Sequence, residues 1–103
     1  MTTHTKAATI LTQLGGGRFV AMTGARQFTS SEDNETARLT FRLPRKANSI
    51  NCVTIVLEAS DLYTVIFCSI TGLKVRVVDE VEGVYWDQLR DLFTARTGLY
   101  TSL

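Results

Sequence analysis

Residues 51–70 read NCVTIVLEASDLYTVIFCSI, two alternating apolar runs around a short polar break, and the way these runs pair decides the fold. A period of two is the mark of a β-strand that buries one face. Strands are predicted over Asn51 to Glu58 and Leu62 to Ile70, joined by Ala59, Ser60 and Asp61 as a three-residue turn. That turn fixes a register in which Val53 lies opposite Phe67, Ile55 opposite Val65 and Leu57 opposite Tyr63, so one face is apolar throughout. Cys52 then falls opposite Cys68, on the other face.

Outward toward the N-terminus, Ala37 to Leu43 alternates in the same way, with Leu39, Phe41 and Leu43 on one side and Arg38, Thr40 and Arg42 on the other. Pro44 lacks the N–H a ladder needs and is expected to stop the pairing. A loop over residues 44–50 places Phe41 beside Val53 and Leu39 beside Ile55, which extends the apolar face over a third strand. Phe19 to Ala25 reads as a first strand, and Gln27 to Glu35 as an exposed polar and acidic loop. Before it, Ala7, Ile10, Leu11 and Leu14 at helical spacing predict a short amphipathic helix over Thr5 to Leu14, which Gly15, Gly16 and Gly17 end. A phosphate cradle needs glycines ahead of a helix, and these are expected to follow one.

Toward the C-terminus the last hairpin is open between two registers. A three-residue turn near Thr71 and Gly72 puts Lys74 and Arg76 on the face of Arg38 and Arg42, making it basic. A two-residue turn puts Val75 and Val77 there, making it partly apolar. From Gly83 to Thr97 the period becomes helical, with Tyr85, Leu89, Leu92 and Phe93 on one stripe and Gly98 as terminator. Trp86, at the helix start, is expected to pack, with contact to a partner as the alternative. The expected architecture is a single α+β domain: a four- or five-stranded antiparallel meander with an N-terminal and a C-terminal helix packed mainly on one face.

The chain has 103 residues, enough for one hydrophobic core, and its formal charge of +1 hides an asymmetry. Residues 1–50 carry seven basic and three acidic side chains, residues 51–103 four basic and seven acidic ones. Charge segregated in this way suits docking of an acidic partner, while the near-neutral total argues against a general, sequence-blind coat on DNA. The opening residues lack the pattern of a secretory signal, and no apolar stretch is long enough to span a bilayer, so cytoplasmic residence is expected, with Cys52 and Cys68 as reduced core thiols.

Chemistry is sparse. His4 is the only histidine and lies near the terminus, so no nucleophile–base pair has a rigid frame, and no catalytic residue, metal site or cofactor is expected. Asp79, Glu80 and Glu82 read as a solvated charge run rather than a cation site. Binding remains. Arg38, Arg42, Lys74 and Arg76 are the candidate basic face, and Arg45 and Lys46 the candidate contact loop. The tail Tyr100 to Leu103 matches, weakly, what a strand-adding groove accepts. A protein partner is expected, with nucleic acid as the alternative, no membrane, and self-association through an edge strand or the outer face compatible with either.

The runs Leu14-Gly15-Gly16-Gly17-Arg18-Phe19-Val20-Ala21-Met22-Thr23-Gly24-Ala25, Leu43-Pro44-Arg45, Gly83-Val84-Tyr85 and Thr97-Gly98-Leu99-Tyr100-Thr101-Ser102-Leu103 together resemble a family of small uncharacterised proteins carried by phages, prophages and plasmids. The resemblance brings no catalytic residues. It implies a context in which small proteins act by binding a host factor or nucleic acid, making this chain an interaction module of a mobile element.

Overall fold

The register predicted for residues 51–70 is the one found: Cys52 pairs with Cys68, Val53 with Phe67, Ile55 with Val65 and Leu57 with Tyr63. Glu58 N–H donates to Leu62 O across the three-residue turn, where Asp61 takes a positive φ of 67°. The computed structural model describes residues 5–32, 36–47 and 49–99, with residues 5–8 and 45–47 described through their backbone alone.

Five strands form one antiparallel sheet in the order β1-β2-β3-β4-β5, a meander: β1 Arg26–Glu32, β2 Ala37–Ala47, β3 Ile50–Leu57, β4 Tyr63–Thr71 and β5 Lys74–Val84. Helices α1 Thr5–Leu14 and α2 Gly16–Thr23 precede the sheet. A 3-10 turn, Trp86–Gln88, and α3 Leu89–Thr97 follow it. The fold is α+β.

The inner face of the sheet, with Leu39, Phe41, Val53, Ile55, Val65 and Phe67, forms one buried cluster with Ile10 and Leu14 of α1, Phe19 of α2, and Leu89 and Phe93 of α3. Three phenylalanines meet at its centre. Phe19 sits edge-on to Phe41 and to Phe93, each pair with ring centroids 5.2 Å apart, and Phe41 lies 6.2 Å from Phe93. Tyr63 donates its hydroxyl to Gln13, tying α1 to β4.

Residues expected as the first strand, Phe19 to Ala25, belong instead to α2 and its cap. Phe19 and Thr23, four apart, are the buried side of the helix, and Thr23 Oγ1 donates to Phe19 O at 2.7 Å while accepting from Ala25 N–H at 3.2 Å. Gly24 closes the helix in the left-handed conformation at φ 70°. A Cβ there would also meet Pro44 Cγ at 2.9 Å, so glycine is required twice over. The triple glycine therefore lies between two helices, ending α1 at Gly15 and opening α2.

The first strand is β1, in the segment read as a loop. It is an edge strand, largely exposed, and polar residues suit it because its ladder to β2 needs no burial on the outer side. Its single ring, Phe28, turns inward onto Phe41 at 5.5 Å. β2 runs on past Pro44 to Ala47, which pairs with Ile50, although the register breaks between Arg42 and Ala47. The proline thus interrupts the ladder without ending the strand. At the other end β5 continues through Gly83 to Val84, so the helix expected from Gly83 starts later. Tyr85 and Trp86 project into solvent, 58% and 61% exposed, correcting the packing role expected for both.

Candidate docking face

The outer face is best read across the strands, because directly opposed residues of an antiparallel pair share a face. One row runs Arg26, Arg42, Cys52, Cys68, Val77 from β1 to β5. The next runs Thr29, Thr40, Thr54, Ile66, Glu80. A third holds Ser31, Arg38, Val56 and Thr64. The β1–β2 side is therefore arginine and hydroxyl, the centre small and apolar, and the β5 side apolar with a carboxylate. Cys52, Val56 and Cys68 are buried yet lie outside the helix-packed cluster, so among the described residues this face is shielded by its own side chains rather than by a helix.

The last hairpin turns on Gly72 and Leu73, with Thr71 opposite Lys74, Ile70 opposite Val75, Ser69 opposite Arg76 and Cys68 opposite Val77. Val75 and Val77 thus occupy the outer face, 65% and 56% exposed, next to a fully exposed Leu73 at the tip. Lys74 and Arg76 lie on the opposite side. The four-residue basic face of Arg38, Arg42, Lys74 and Arg76 is not assembled; Arg38 and Arg42 share a face with Arg26, which the sequence reading did not select. One extra residue, Val78, sits in β5 between the Cys68–Val77 and Phe67–Asp79 pairs. Arg45 and Lys46 lie in the β2 backbone rather than a loop, and their side chains fall outside the described residues, as do His4 and the tail Tyr100–Leu103.

Electrostatics set the reactivity of this face. Burial pushes the Cys52 thiol up, the neighbouring Cys68 adds to this, and Arg42 opposes it. Burial likewise raises Cys68, with Glu80 adding to it. Both thiols are therefore protonated and poor nucleophiles near neutral pH. Thr40 Oγ1 and Thr54 Oγ1 bond to each other at 3.0 Å, and Thr64 Oγ1 donates to Glu58 Oε2 at 3.0 Å. Arg42 Nε is a buried donor without a hydrogen-bond partner among the described residues.

The acidic run divides between faces: Asp79 is opposite Phe67 and holds Arg96 of α3, while Glu80 is opposite Ile66 on the outer side. Among the described residues no three His, Cys, Asp or Glu side chains gather to hold a metal. An open cleft of about 430 Å³ lies between the end of β5 and α3, lined by Val81, Glu82, Val84, Asp91 and Leu92 among others, with no basic side chain. No protein-family model, curated protein or solved structure matches the chain. Among the described residues no helix is long and apolar enough to cross a membrane.

Proposed function

We propose that this chain is a non-enzymatic interaction module of a phage or other mobile genetic element, acting in the host cytoplasm, and that its outer sheet face docks a protein partner of mixed acidic and apolar character. The carrying observation is the row from Arg26 and Arg42 to the exposed Val77, which sets charge beside apolar surface. Apolar side chains at the centre of a patch supply affinity, while arginines at its margin supply orientation and charge selection. The resemblance to mobile-element proteins supplies the context.

The test uses two double variants as bait in host lysate, Arg38→Glu with Arg42→Glu and Val75→Lys with Val77→Lys. A partner held by this face is lost from both, and a partner retained equally by both places the interface elsewhere.

Direct nucleic-acid binding is the second reading, favoured by one observation: Arg26 and Arg42 lie opposite each other, with Arg38 and a set of hydroxyls beside them. Phosphate would relieve that opposition. Fluorescence anisotropy with single- and double-stranded oligonucleotides at about 50 and 200 mM salt separates the two, because phosphate-driven affinity falls steeply over that range. Tight, salt-sensitive binding supports the second reading, and no binding at low salt removes it.

A further inference from the structure

β5 is an edge of the sheet, and among the described residues no strand pairs its far side. Its charges divide along its length: Lys74 and Arg76 in the first half, Asp79, Glu80 and Glu82 in the second. An antiparallel strand with its basic half at one end and its acidic half at the other is complementary to itself.

Backbone phase agrees. The Glu58–Leu62 hydrogen bond turns the backbone groups of even-numbered β4 residues toward β3 and those of odd-numbered residues toward β5. Lys74, Arg76, Asp79 and Val81, opposite Thr71, Ser69, Phe67 and Val65, therefore bond inward to β4. Val75 and Val77, and beyond the bulge Glu80, turn theirs to the free edge. The Glu80 N–H accordingly finds no β4 partner and donates to Asp79 Oδ1 at 2.9 Å.

We propose that two copies of this chain pair antiparallel through β5 about a two-fold axis near Val77 and Val78. Val75 of one copy then lies opposite Glu80 of the second, and Arg76 opposite Asp79. The extra residue at Val78 keeps this pairing in phase: it shifts the two halves of β5 by one residue, so that edge-facing Val75 meets edge-facing Glu80 and both stand on the outer face. Arg76 and Asp79 both stand on the inner face. The exposed Leu73, Val75 and Val77 come to lie along the seam, and the sheet becomes continuous across both copies. On the inner face Asp79 of each copy, which holds Arg96 of its own chain, also faces Arg76 of the second copy, twice over by the two-fold axis, while Glu80 on the outer face stands beside Val75. This pairing stands independently of what the outer face binds.

Sedimentation velocity on the full chain tests it. The expected result is a monomer–dimer equilibrium that weakens as salt is added. Two charge-reversed variants, Arg76→Glu and Asp79→Arg, should each raise the dissociation constant by about tenfold or more. Mixing them should restore dimers, since each then meets a complementary strand on both sides of the axis. Circular dichroism of each variant alone checks that the fold is kept. A wild-type chain that stays monomeric at about millimolar concentration overturns the proposal. So does a dimer that both variants leave intact, or one that mixing fails to rescue.

Discussion

Arg26 and Arg42 stand directly opposite each other on β1 and β2, like charges at one end of a row that passes through two cysteines to an exposed valine. Like charges opposed across strands destabilise a sheet. Arg26→Thr is therefore expected to raise stability by about 0.2–1 kcal/mol, read as a higher urea midpoint at low salt. Added salt should shrink the gain. The same variant should weaken binding of any anionic partner. A lower urea midpoint would mean that the Arg26 side chain packs more than it repels.

Gly24 is held at φ 70° with Pro44 Cγ 2.9 Å from where a Cβ would stand. Gly24→Ala is expected to cost more than the ~1–2 kcal/mol of a left-handed residue alone, because the close approach must also open. Gly17, with open space around it, is the control: Gly17→Ala should be neutral or stabilising, since it lies inside α2. Thermal melts of the two variants side by side decide the matter.

Phe93 links α3 to α2 and β2 through its contacts with Phe19 and Phe41. Phe93→Ala should cost about 3–5 kcal/mol. Set against the ~5–15 kcal/mol that holds a typical domain, that loss leaves the fold marginal. Urea titration followed by near-ultraviolet circular dichroism would show it, and a cost below about 1 kcal/mol would mean the site collapses around the gap.

Alkaline pH should weaken the fold in two stages. The Cys52 and Cys68 thiols and the Tyr63 phenol are all raised, chiefly by burial; Asp61 adds to the shift of Tyr63. An acid whose folded value lies above its unfolded one stabilises fully below the unfolded value, and the contribution is lost as pH rises past it. Stability should thus begin to fall near about pH 8.5 and fall further near about pH 10. Replacing both cysteines by alanine should remove the first stage, and Tyr63→Phe the second, as read in urea midpoints across that range.

The two central hairpins were legible because both faces of β2, β3 and β4 carry information: a slip of one residue would have buried Arg38 and Arg42 and exposed Phe41. Elsewhere tertiary structure overrode local pattern. Phe19-Val20-Ala21-Met22 is apolar at almost every position and fits either period; the Phe19–Phe93 contact and the Thr23 cap decide for helix. A signal was present in the repeated F-x-A-x-T-G of residues 19–24 and 93–98, since Thr97 Oγ1 bonds Phe93 O just as Thr23 does Phe19 O. β1 was hidden because an edge strand has little apolar side to show. Of the candidate site, Arg38 and Arg42 fell on the outer face as read, while Lys74 and Arg76 did not, because the turn takes two residues, Gly72 and Leu73, and a two-residue turn puts Val75 and Val77 on that face.

The extra residue at Val78 makes length, rather than composition, the variable that sets the chemistry of the hairpin's surface. If one residue were lost from the Gly72–Leu73 turn and β5 straightened at Val78 to compensate, Asp79 to Val84 would keep their places against the core. The tip would advance by one, bringing Arg76 opposite Ile70 and carrying Val75 and Val77 to the far side. A single codon lost here would exchange an apolar margin for a cationic one with the buried cluster untouched, so the surface this hairpin presents can change by a step too small to threaten folding.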